Sequence, residues 1–186
     1  MTMDSPHLPR AQHAPSPRPG GVVGTLLVMS VIAVGLMAGL FFAFDVSVMP
    51  GLARTGDRVY AEAMQNFNQV MDGSGLFALI FLGALAVTVA VAVVEYRGGR
   101  RRVALWAGGA AALYAVALLV TFFVNIPLNN ELAAIGDPAN AGDLSVVGRF
   151  KGLWETTNIM RTLLCTAALG CLAHCLKLYG RSTPAS

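Results

Sequence analysis

The sequence predicts an all-α membrane protein: a bundle of four transmembrane helices with a short amphipathic helix between spans one and two. Three observations carry this expectation. Of 186 residues, 55% are hydrophobic and only 12% charged, about half the roughly 25% charge of soluble domains. The charges sit in clumps between long apolar runs, as expected of a chain whose solvent is lipid. The apolar runs number four, and no polar linker between them is long enough to separate two domains. The net charge of +3 comes from arginines beside the apolar runs. That placement fits membrane topology better than a nucleic-acid partner.

Residues 1–20 are polar and rich in proline, with His7 and His13 and no hydrophobic periodicity, and read as a disordered cytoplasmic tail. No charge appears from Gly20 through Phe44. This run far exceeds the roughly 7–15 apolar residues of a signal peptide, so an uncleaved first span is expected over Val22–Phe44. Its Gly35 and Gly39 form a small-xxx-small pair that suits close packing inside the bundle and leaves a homo-oligomer open. Asp45 and then Met49-Pro50-Gly51 are expected to end this helix. From Asp57 to Asp72, Tyr60, Met64, Phe67 and Met71 recur at i, i+4, i+7 and i+11. That periodicity predicts an amphipathic helix lying at the interface or capping the bundle.

The second span is expected over Leu76–Val94, closed by Glu95, and the third over Val103 to Val124 or slightly beyond, with the basic turn Arg97–Arg102 between them. An exposed loop with Glu131, Asp137, Pro138 and Asp143 follows. The fourth helix is expected from near Val146 to near Leu178, so residues 21–179 form the transmembrane domain and 180–186 a C-terminal tail. Its uncharged stretch, Thr162–Leu176, falls short of the about 20 residues needed to cross a bilayer. Asn158 and Arg161 are therefore expected within or at the edge of the hydrocarbon.

Orientation follows from the basic residues. The N-terminal tail, the 95–102 turn and the C-terminal end carry 8 Lys and Arg against 5 in the 45–75 and 125–161 segments, and net +6 against −3. The expectation is a multi-pass protein of the cell membrane with both termini cytoplasmic.

Polar side chains inside a bundle are expensive and tend to mark sites, and here they gather at one end. Asn125 and Asn129 share a helical face next to Pro127, a residue able to kink the helix. Trp154, Asn158 and Arg161 stand at i, i+4 and i+7, again one face. Asp45 ends the first span at the same outer side, and Asn66 and Asn68 lie on the amphipathic helix. These groups form either an ordinary polar interface, with Arg161 snorkelling, or a polar pocket under the capping helix. In the pocket, Arg161 should reach Asn125, Asn129, Asp45 or Glu131. Cys165, Cys171 and Cys175 fall inside the last apolar run and read as small buried residues, not a disulfide framework. Cys171 and His174 at i, i+3 lack further ligands for a metal. No phosphate-binding, dinucleotide-binding, nucleophile-elbow or zinc-protease motif is present.

Four short segments carry a family resemblance: Phe41 to Leu52 (FFAFDVSVMPGL), Ala63-Met64-Gln65 with Asn68, Val124 to Asn129 (VNIPLN) and Trp154 to Thr162 (WETTNIMRT). In this order and with this helix count, the chain resembles the anthrone oxygenase-like family of small four-helix membrane proteins, catalogued as a domain of unknown function. The resemblance implies an oxidoreductase that uses molecular oxygen, with no cofactor, to convert anthrones to anthraquinones. It extends over roughly Gly35 to Leu178.

Two function classes stand at this point. One is a cofactor-free oxygenase of an anthrone-like or other lipophilic aromatic substrate. The other is a non-catalytic accessory or hydrophobic-ligand-binding membrane protein. A transporter is disfavoured by the lack of an acidic relay and of an inverted repeat of broken helices. The expected catalytic residues are Asn125, Asn129, Asn158 and Arg161, with Asp45, Asn68 and Trp154 binding substrate and no metal. The guanidinium and amides would act as donors to an oxyanion, and Asp45 or an amide-held water as base. The expected partners are the lipid bilayer, the aromatic substrate and oxygen, with no nucleic acid.

Overall fold

The computed structural model describes residues 19–182; the expected N-terminal tail, with His7 and His13, and the end of the C-terminal tail lie outside them. Helix α1 (Pro19–Ala43) widens into a π-helical turn (Phe44–Val48) and continues as α2 (Met49–Leu52). Helix α3 spans Asp57–Asp72 and α4 Gly75–Arg97. Helix α5 (Arg101–Val120) passes through a second π turn (Thr121–Asn125) into α6 (Ile126–Ala133), and α7 runs unbroken over Ser145–Ser182. Four of these helical stretches, Gly21–Leu52, Gly75–Arg97, Arg101–Ala133 and Ser145–Arg181, are long and apolar enough to cross a membrane. Their flanks expose Leu36, Leu79, Leu105, Leu119 and Leu163. A helix that is apolar all round needs lipid or protein on every side.

Helix α7 packs on α1 and on α5, and α4 closes the bundle against the same two. Small residues make the approach close: Ala84, Ala107, Ala110, Ala117 and Ala168 are buried at the seams, where small side chains let helix backbones meet. Gly35 faces Leu169 of α7, whose Cδ1 lies 3.7 Å from where a Cβ would stand. A central layer of Val34, Met37, Phe41, Phe81, Tyr114, Leu118 and Leu172 holds the bundle's middle. At the arginine-rich end, Glu95 is fully buried, ion-paired through both oxygens to Arg100. The Arg100 guanidinium also lies 5.5 Å over the Tyr179 ring. The three cysteines are free thiols.

The first span does not end at Asp45, and the third runs well past Val124, to Ala133. Both prolines sit two residues past a π turn: the Met49 N–H reaches back to the Phe44 carbonyl before Pro50, and the Ile126 N–H to that of Thr121 before Pro127. Proline has no N–H and its ring crowds the carbonyl four residues earlier. A turn widened by one residue absorbs that mismatch without ending the helix.

Helix α3 lies across the opposite end. Its buried residues are Tyr60, Ala61, Met64 and Asn68, not the Tyr60–Met64–Phe67–Met71 stripe. The face is rotated because Phe67 turns outward to meet Phe44 edge-on at 6.0 Å, leaving Asn68 to point inward. Polar ties hold α3 to the end of α6 and the loop after it. Arg58 donates to the carbonyls of Pro138, Ala139 and Ala141, and Gln65 to those of Leu132 and Gly136. Tyr60 is buried against Phe150 and Glu155. Burial first, and the Glu155 carboxylate second, push the pKa of its phenol above the ordinary tyrosine value.

Candidate functional site

The α7 residues Trp154, Asn158 and Arg161 share one helical face and are all buried, Arg161 to 5% exposure and Asn158 to 0%. Each of the two π turns turns a polar side chain toward them. Asp45 comes from the first, Thr121 and Asn125 from the second. Such turns recur where a helix must re-aim a side chain.

The hydrogen bonds fix the orientation of both buried amides. Asn158 Nδ2 donates to Asp45 Oδ1 at 2.5 Å and to the Phe41 carbonyl at 2.9 Å. Both partners only accept, so the amide's NH2 must face them. Its Oδ1 is thereby turned to Arg161, whose NH2 nitrogen lies 2.7 Å away. The other oxygen of Asp45 accepts from the Thr162 hydroxyl at 2.5 Å. Thr157 works the same way. Its hydroxyl hydrogen is committed to the Leu153 or Trp154 carbonyl, at 2.9 and 3.0 Å, so it accepts from Asn125 Nδ2 at 2.9 Å. Asn125 Oδ1 is then left without a partner.

Arg161 also contacts Thr121 Oγ1 at 3.3 Å, and its guanidinium lies 4.4 Å over the Phe41 ring and 5.3 Å from that of Trp154. Trp154 Nε1 donates to Asn129 Oδ1 at 3.0 Å. The expected partners of Arg161 were Asn125, Asn129, Asp45 or Glu131; the partners found are Asn158 and Thr121. Glu131 is instead paired with Arg149, and Asp45 reaches the guanidinium only through the Asn158 amide. One amide spans the gap between α1 and the guanidinium, which is why the two charges do not touch.

These groups line a partly open cavity of about 220 Å³ among the four spans and under α3. Its aromatic and aliphatic wall includes Phe41, Phe44, Phe77, Phe81 and Leu82; its polar wall is Asn68, Asp72, Thr121, Asn125, Asn129, Asn158 and Arg161, with Trp154 between. Four buried polar atoms have no partner among the described residues: both amide atoms of Asn68, Asn125 Oδ1 and Arg161 Nε. All belong to residues that line this cavity. Buried polar groups are satisfied in the great majority of positions, so their concentration on this one cavity sets it apart from the rest of the bundle.

Six of the seven residues singled out from sequence line the cavity: Asn68, Asn125, Asn129, Trp154, Asn158 and Arg161. Asp45 does not; it stands one hydrogen bond behind, holding Asn158. Sequence reasoning missed Thr121, Thr157 and Thr162, which complete the network, and Phe41, which lies under the guanidinium. The threonines were legible in principle from helical spacing. Thr157 and Thr162 flank Asn158 and Arg161, and Thr121 precedes Asn125 by four.

The fold and cavity define a small four-helix, multi-pass membrane protein with a chamber at one end lined by aromatic, aliphatic and polar side chains. The chain belongs to the anthrone oxygenase family, whose model matches residues 76–171, from α4 into the last turns of α7. That match contains Asn125, Asn129, Trp154, Asn158 and Arg161, while Asp45 and Asn68 precede it. No curated protein and no solved structure is significantly similar to the chain.

Proposed function

We propose that the chamber binds a flat, lipophilic aromatic ketone of the anthrone type and oxidises it with molecular oxygen, without a cofactor. The observation that supports this reading is the gathering of unpaired donors and acceptors on residues that line a partly aromatic chamber. Arg161 Nε and the Asn68 amide can donate to a ketone oxygen, and Asn125 Oδ1 can accept from a ring hydroxyl. The volume of about 220 Å³ falls just below the roughly 300–1,000 Å³ of most small-molecule sites, which suits compact fused rings better than a long chain.

The chemistry needs little else. Loss of a proton from the methylene opposite the ketone gives an anion whose charge rests largely on the ketone oxygen. A guanidinium and an amide placed there stabilise it. This electron-rich carbon combines with oxygen to a hydroperoxide, and loss of water leaves the second carbonyl. Overall, anthrone and O2 give anthraquinone and H2O, with no outside reductant. In this reading Asp45 is a positioning residue, because both its oxygens are engaged away from the chamber.

The same engagement of Asp45 favours a second reading, in which the chamber holds a hydrophobic ligand without turning it over. Purified protein supplied with anthrone and oxygen separates the two. Anthraquinone formation above the spontaneous rate supports the oxygenase, and tight binding without product supports the binder. The charge asymmetry between the two ends supports a cell-membrane location with both termini cytoplasmic.

A further inference from the structure

A second cavity of about 490 Å³ adjoins the chamber, and Asn68, Asp72 and Asn129 line both. Apart from Ala133 and Gly136, its lining is wholly polar, with Gln65, Gln69, Asn130 and Asp137 completing it. On the other side the chamber's wall includes Ala78, Leu82 and Phe122, which are exposed on the apolar flank of the bundle. The chamber therefore has an apolar face toward lipid and a polar passage toward water. Asp72 stands at the junction and is the sole carboxylate among the residues that line the chamber. Asn68, with both amide atoms unpaired, lies one turn before it on α3.

We propose that Asp72 is the base of the reaction and that the second cavity is the outlet for the water formed; both statements rest on the chamber being an anthrone-type site. The Asp72 carboxylate takes one methylene proton: the C–H bond breaks, an O–H bond forms, and the electron pair stays on the ring system. Oxygen adds to that carbon, and Asp72 returns the proton to the outer peroxide oxygen. The regenerated carboxylate takes the second proton from the same carbon, the O–O bond breaks, and the departing hydroxide collects this proton as water. Substrate and oxygen enter from the lipid face, where both are soluble. Water leaves through the polar vestibule, so it never has to cross the apolar wall.

The test is an anaerobic titration of the full-length detergent-solubilised protein with anthrone at neutral pH, read by the absorbance of the bound anion. The wild type should form the anion. Asp72→Asn, at an exposed position that does not threaten folding, should bind anthrone within about threefold of the wild type and form none. Asp72→Glu should restore it in part. With oxygen admitted, Asp72→Asn should fall by about 10²–10⁴-fold, the usual worth of a positioned base. Ala133→Trp, which fills the vestibule but not the chamber, should slow turnover and leave the anaerobic anion intact. Anion formation by Asp72→Asn equal to the wild type overturns Asp72 and leaves the anthrone site standing. Binding by the wild type without anion formation overturns both base and oxygenase. No binding at all overturns the site itself. Unchanged turnover in Ala133→Trp removes the outlet.

Discussion

Asp45 and Asn158 are 113 residues apart in sequence and joined by a 2.5 Å hydrogen bond from Asn158 Nδ2 to Asp45 Oδ1. This contact ties the first span to the last and sets which atom of the amide meets Arg161. Replacing Asp45 by Ala leaves Asn158 Nδ2 only the Phe41 carbonyl and frees the amide to turn. Loss of one partner of a buried polar contact costs about 1–3 kcal/mol, so Asp45→Ala should lower the unfolding midpoint in detergent. A double-mutant cycle with Asn158→Ala should show a coupling of about 0.5–3 kcal/mol, as for residues sharing one network. Additive losses would mean that the two residues act separately.

The spans were legible because a helix crossing lipid must satisfy its own backbone and cover itself with apolar side chains. Both requirements are written locally. That Asn125 and Asn129 share one helix face, and Trp154, Asn158 and Arg161 another, was legible from the 3.6-residue period; that the two faces meet at one cavity was one of two readings the sequence left open. The π turns were not. Pro50 and Pro127 signal a break, but whether a helix ends or widens depends on what packs beyond it. Here Met49 and Leu128 are buried against α3 and α7 residues and carry each helix onward. Arg161's true partners were equally hidden, because the distance from α7 to Asp45 is set by the packing of α1 and only an intervening amide spans it. In the sequence Asp72 is only the last residue of the amphipathic helix, and its place between two cavities exists only once α3 lies over the bundle.

The topology is open to a direct test. Reporter fusions at the two ends of the chain and at residue 98 should report the cytoplasm, and one at residue 137 the opposite side. The four arginines of the Arg97–Arg102 turn should hold it inside, since the positive-inside bias acts on short loops. A reporter at residue 98 active on the non-cytoplasmic side would reverse the arrangement, and with it the side on which the polar vestibule opens.

Packing, rather than sulfur chemistry, should hold the bundle. Cys165 and Cys175 are fully buried, and Cys175 Sγ donates only a weak bond to the Val103 carbonyl at 3.4 Å. Changing all three cysteines to Ala removes about one small group at each site. That is roughly 1 kcal/mol per fully buried position by analogy with single-methyl deletions. The triple variant should express, remain monodisperse in detergent and lose only a few degrees of thermal stability. Collapse of the fold would show that a thiol is doing more than filling space.

Arg161 gives the sharpest separation between holding the fold and serving the site. It is buried to 5% exposure, carries no carboxylate ion pair among the described residues, and leaves Nε unpaired. A charge in that position is expensive in a bilayer, and replacing buried charge with packed apolar atoms is often neutral or stabilising. Arg161→Met keeps an unbranched chain over Phe41 but orphans Asn158 Oδ1, a loss of about 1–3 kcal/mol. Relief of the buried charge offsets it. The unfolding midpoint of Arg161→Met should therefore stay close to that of the wild type. Arg161→Lys should not rescue activity, because an ammonium cannot meet Asn158 and Thr121 and still offer a planar donor to the chamber. Turnover of anthrone by both variants should fall by about 10²–10³-fold, the usual effect of removing one oxyanion donor. Measuring the unfolding midpoint and anthraquinone formation on the same preparations decides the matter. A folded Arg161→Met with wild-type turnover would remove the guanidinium from the chemistry, and an unfolded one would make Arg161 a structural residue.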